Sequence, residues 1–166
     1  MNIFALDKNP YTAARYLCDK HVVKMLLESV QILVSGLRQH NCPIDKLPKN
    51  KMGNPYGKGY PHHPSTRWAM QTDLNFDWLT MHAIGISEQY TLRYKKVHAC
   101  FYPLSHIIHE HLCRYIPQGP RTEFALAMPD KYKSPDPIQS YRDYYIHEKA
   151  DIAVWKYTKT PEWFSN

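Results

Sequence analysis

The sequence predicts a mainly α-helical fold, a compact helical bundle with a short extended N-terminal segment and long Pro/Gly loops. Three observations carry this. Apolar residues crowd at helical spacing through Val22, Val23, Met25, Leu26, Leu27, Val30, Ile32, Leu33, Val34 and Leu37. Prolines at 10, 64, 103 and 137 stand where helical stretches open. Only Ile3 to Leu6 reads as a β-like or extended run. A chain of 166 residues with 43% apolar content has room for one well-packed domain, taken here as 1–166.

Each element has its own signal. Asp7-Lys8-Asn9-Pro10 stops the extended segment, with Asn9 as N-cap and Pro10 at the first helical position. A helix follows from about Pro10 to Arg38, bending near Cys18-Asp19. Residues 41–64 hold five Pro and three Gly with Lys spacers, a long basic loop. A second helix runs from Pro64-Ser65 to Tyr94, with a break at Gly85. A third covers Pro103 to Tyr115, and the last covers Pro137 to Ala150. Residues 151–166 form an aromatic tail.

The net charge of +6 favours an anionic partner, DNA or a nucleotide. The 13 Tyr and 4 Trp strengthen this, because many adjoin Lys or Arg, as in Arg93-Tyr94-Lys95 and Trp155-Lys156-Tyr157. Aromatic faces stack bases while cations hold phosphates. The four Cys include no CxxC pair and no signal peptide is evident, so free thiols and a cytoplasmic, intracellular setting are expected. No apolar run approaches a membrane span, so no membrane partner is expected. The sequence leaves oligomeric state open.

Chemistry-bearing residues fall in four groups. Lys20, Lys24 and Glu28 share one helix stripe with His21 beside them. The lysines supply charge for phosphate or a Schiff-base amine, and His21 or Glu28 supplies acid–base work. The plainer alternative is a solvated stripe with an ordinary Lys24–Glu28 pair. In His62-His63-Pro64-Ser65-Thr66-Arg67-Trp68, His63 can point across a helix N-terminus, Ser65 can donate, and Arg67 and Trp68 follow. His106, His109 and Cys113 do not have a known zinc spacing and read as core or surface residues, so no metal is expected. Tyr141, Arg142, Tyr145, Lys149 and Trp155 suit base stacking, or else cover the core with polar tips in water. Arg93, Lys96 and His98 add a further basic set. There is no Gly-rich phosphate loop, HExxH or nucleophile elbow, and no cofactor is expected.

Lys20-His21-Val22-Val23-Lys24 through Glu28 and Gln31, then His63-Pro64 through Trp68, resemble the pyrimidine-dimer DNA glycosylase family. These are small all-α repair enzymes of the endonuclease V type; related phage proteins of unknown role share the Cys-Asp-Lys-His start. The resemblance covers the N-terminal half. It implies binding of bent duplex DNA and extrusion of a nucleotide. It also implies attack of a terminal α-amine on C1′ to form a Schiff base, assisted by a carboxylate on the first core helix and by flanking basic residues. Mapped here, Lys20 and Lys24 take the flanking places and His21 falls where the catalytic Glu stands. Glu28 is a compensating carboxylate. Asn2 is bulky enough to retain Met1, which then supplies the amine. The expected function is a phage-type DNA N-glycosylase with AP lyase activity. The alternatives are a protein that binds or hydrolyses a signalling nucleotide through His21, His63 and His98 with Lys24 and Arg93, and a non-catalytic DNA-binding or host-interaction protein.

Overall fold

Asn9 and Pro10 start the first helix as expected: Asn9 Oδ1 accepts the Thr12 N–H at 3.0 Å and α1 spans Pro10–Tyr16. This computed structural model describes residues 2–57 and 59–164. The predicted single helix to Arg38 is two helices, because the backbone turns extended at Leu17 and Cys18 before α2 (Asp19–Gln39) begins. Distant groups take the bonds a continuous helix would make. Cys18 N–H donates to Tyr145 Oη at 2.9 Å, Asp19 N–H to the Val154 carbonyl at 2.9 Å, and Arg93 Nη1 donates to the Leu17 carbonyl at 2.8 Å. Such partners satisfy the orphan groups of both helix ends.

The second predicted helix is also two. α3 (Pro64–Ala69) stops at Met70, and Thr72 Oγ1 caps α4 (Asp73–Tyr94) by accepting Asn75 N–H at 3.2 Å. α4 continues through Gly85. A Cβ there would lie 2.9 Å from Ala14 Cβ and 3.2 Å from the Tyr11 ring, so this glycine lets α1 and α4 approach closely rather than breaking a helix. α5 is Phe101–His109, shorter than expected: His111 turns left-handed and a 3-10 turn covers Leu112–Tyr115. α6 is Pro137–Lys149, capped by Asp136. The described residues thus hold six α-helices and no strand, the expected all-α class.

α4 is the central helix, packed on α1, α2, α3 and α5. The extended N-terminal residues Ile3, Phe4, Ala5 and Leu6 thread into the core, fully buried or nearly so. From the other side α6 inserts Tyr141 and Tyr145, both fully buried. The loop after α2 lies back on that helix: Arg38 Nη1 donates to the Tyr56 carbonyl at 3.0 Å and Gly59 N–H to Ser35 Oγ at 2.6 Å. The aromatic tail packs too, with Trp155 Nε1 donating to the Tyr16 carbonyl at 3.2 Å. All four cysteines are free thiols, and no helix is long and apolar enough to cross a membrane.

Candidate active site

The start of the chain meets the second helix at a carboxylate. Glu28, two turns into α2 and nearly buried, accepts Asn2 N–H on Oε2 at 2.9 Å. Its Oε1 faces Lys24 Nζ at 3.3 Å, one turn earlier, with the lysine side chain largely in water. Asn2 is fixed in turn. Its Nδ2 donates to the Ala127 carbonyl at 2.8 Å, and its Oδ1 accepts Ile3 and Phe4 N–H at 2.7 and 3.2 Å. That Asx turn feeds Phe4, a bulky residue held at φ 44°, in the left-handed region. The Met1 amine expected to act here lies outside the described residues.

His63 lies within electrostatic range of the same carboxylate. As N-cap of α3 its Nδ1 accepts Ser65 N–H at 3.2 Å, which leaves the proton of the neutral ring on Nε2. Burial holds its pKa below the ordinary histidine value, while the Glu28 carboxylate pulls the other way, so the two groups share one electrostatic neighbourhood.

His21, expected where the family's catalytic Glu falls, is buried among aromatic rings. Its ring stacks on Phe4 at 4.6 Å and its Nδ1 meets Tyr145 Oη at 2.7 Å. Burial, reinforced by Lys149 and Lys24, lowers its pKa from 6.5 to about 4, so it is neutral near pH 7. It braces Phe4, whose ring also stacks on Tyr144 at 6.1 Å, under Lys149 Nζ at 4.8 Å from the Tyr144 ring. Asn2, Phe4 and Tyr144 were not singled out from the sequence. Asn before an apolar run is an Asx-turn signal that could have marked the first.

The remaining expected residues divide by position. Lys20 is exposed, but lines a separate cleft with Asp19, Tyr94, Lys156 and Tyr157. Ser65 is fully buried, Arg67 exposed, and Trp68 buried with its indole N–H 3.5 Å from the Thr122 carbonyl. Arg67 and Trp68 line an open groove of about 640 Å³ with His40, Gln71 and Glu123. Arg93 faces inward: its guanidinium holds Leu17 O, Arg15 O, Gln89 and Asp19, the last at 3.1 Å. His98 joins α2 to the start of α5, with Nδ1 accepting Cys100 N–H and Nε2 on the Val23 carbonyl. Lys96 is exposed beside it. Tyr141 donates to the Ala125 carbonyl at 2.7 Å, and Arg142 reaches Leu6 O and Asp7. Tyr141, Tyr145 and Trp155 are buried rings that present no free face to a base, a correction to the expected stacking role. Among the described residues no three His, Cys, Asp or Glu side chains converge to hold a metal.

A carboxylate thus holds Asn2 N–H near the start of an all-α chain, with a lysine 3.3 Å from its other oxygen and a histidine in its electrostatic neighbourhood. The chain belongs to the pyrimidine dimer DNA glycosylase family, whose sequence profile matches residues 1–102. That span contains Asn2, Lys24, Glu28 and His63 and ends before α6. No curated protein and no solved structure matches the chain.

Proposed function

We propose that this protein is a DNA N-glycosylase with associated AP lyase activity on damaged or modified bases, and that Glu28 is its essential carboxylate. The observation that carries the reading is the 2.9 Å hydrogen bond from Asn2 N–H to Glu28, which fixes Asn2 at that carboxylate. The amine of residue 1 is the nucleophile in this reading; a free α-amine has a pKa of about 8, so a useful fraction is unprotonated near neutrality.

The amine nitrogen bonds to C1′ and loses a proton, while the C1′–N bond breaks and the base leaves with the electron pair and gains a proton. The C1′–O4′ bond then breaks, O4′ keeping the electron pair and taking up a proton, to give a protonated Schiff base; loss of a C2′ proton then breaks the C3′–O bond and the 3′ phosphate leaves with its electrons. Glu28 is close enough to the first peptide to stabilise the cationic sugar and the Schiff base. Lys24 is exposed and contributes charge for a phosphate. His63 is an acid–base candidate whose neutral ring carries its proton on Nε2.

The nucleotide alternative loses support, since Arg93 and His98 are engaged in internal hydrogen bonds. Borohydride trapping on duplex DNA with an abasic site tests the proposal. The expected result is a covalent adduct mapping to the first residue and abolished by acetylating the amine. Strand cleavage unaffected by acetylation, or no adduct at all, would overturn it.

A further inference from the structure

The segment that returns from the long loop to His63 follows one face of α2. Glu28, Gln31, Ser35 and Arg38 recur at helical spacing. Tyr56 is tied to Arg38 and Gly59 to Ser35, while His63 adjoins Glu28 electrostatically. The backbone therefore runs back along the helix toward the carboxylate. Ser35 and Glu28 are two turns apart, roughly 10 Å along the axis.

Tyr60 falls between these anchors. Gly59 is pinned immediately before it, and its own carbonyl accepts His63 N–H at 3.1 Å, closing a tight turn. A backbone held on both sides still leaves the residue 72% exposed. Phe4 and Tyr145 are buried, Phe4 stacking on His21 and meeting Tyr145 edge-on. Tyr60 is thus an exposed aromatic on a hydrogen-bonded turn between the Ser35 anchor and His63. The loop behind it carries the exposed lysines Lys46, Lys49 and Lys51, which suit a phosphate backbone.

Resting on the DNA-glycosylase reading, we infer that Tyr60 stacks on a base of duplex DNA bordering the nucleotide undergoing cleavage and holds the gap open. A planar ring on a pinned turn loses little conformational freedom when a base lands on it, and the contact tolerates any base. The ring needs no hydrogen bond for this, so phenylalanine should replace it.

The test uses the full chain carrying Glu28→Gln to prevent turnover. The probe is a duplex with one tetrahydrofuran abasic analogue flanked by 2-aminopurine. Tyr60→Ala should weaken binding to this duplex roughly tenfold, leave binding to undamaged duplex unchanged, and abolish the 2-aminopurine quenching seen with the parent. Tyr60→Phe should restore both affinity and quenching. Equal affinity and equal quenching for Tyr60→Ala would overturn the inference while leaving the glycosylase reading intact. Failure of the parent to bind any duplex would overturn both.

Discussion

Glu28 accepts the backbone N–H of Asn2 through one oxygen and faces Lys24 through the other. The carboxylate therefore has an anchor and a neighbour of opposite charge at once. Glu28→Gln keeps a carbonyl oxygen for Asn2 N–H and removes the charge. Base release should fall about 100-fold or more, with DNA affinity retained. Gel-based cleavage assays alongside anisotropy check this; unaltered cleavage would remove Glu28 from the chemistry.

His63 caps α3, and the acid–base role proposed for it can be separated from that cap. Asparagine is a good N-cap and no proton shuttle. His63→Ala should lower stability by about 1 kcal/mol through the lost cap, and His63→Asn should largely restore it. Both should lose activity if the imidazole acts on protons. Full activity of His63→Asn in a thermal-melt and turnover comparison would show that the cap is all His63 provides.

Acid should unfold this protein through buried neutral histidines. His21 is lowered from 6.5 to about 4 and His82, fully buried on Trp78, from 6.5 to about 3, burial being the first cause in both. The unfolded chain binds these protons first as pH falls, so their contribution is fully present above about 6.5. It declines through the window down to the folded values of about 4 and 3, by several kcal/mol in all. Urea denaturation from pH 7 to 4 should show this slope. Neither nitrogen of His82 has a hydrogen-bond partner, so His82→Phe should be neutral or stabilising at pH 7 and flatten the slope. An unchanged slope would exclude His82 as a source.

Arg93 and Asp19 form a buried pair that also ties the break between α1 and α2. Asp19 Oδ2 accepts Lys156 N–H at 2.9 Å, and Arg93 reaches two carbonyls at the end of α1. Arg93→Met should cost about 3–5 kcal/mol, because it leaves Asp19 buried without its cation. Chemical denaturation measures this. A loss below about 1 kcal/mol would mean that backbone donors alone satisfy Asp19.

The helical class, the Asn9 cap and the start of α6 were legible because they depend on local periodicity and capping. The full break at Leu17-Cys18, where only a bend is expected, and the unbroken helix at Gly85, where a break is expected, both depend on partners distant in sequence. At Leu17-Cys18 the deciding groups are Tyr145 and Arg93, and near Gly85 the apparent breaker answers to Ala14 and Tyr11 across a helix interface. The site was half legible for the same reason. The stripe correctly paired Lys24 with Glu28, but which acidic or basic group meets the chain start depends on how far down α2 the N-terminal segment lies. Periodicity does not carry that distance.

The hydroxyl of Tyr145 touches both Cys18 N–H and His21 Nδ1, and Tyr145 lies beyond the stretch shared with the family. The shared stretch is consequently not an autonomous unit: a fragment ending at residue 102 lacks the group that seats its own first helix junction and buries its own histidine. Sequence drift within α6 can thus retune the floor of the site without altering any residue by which the family is recognised.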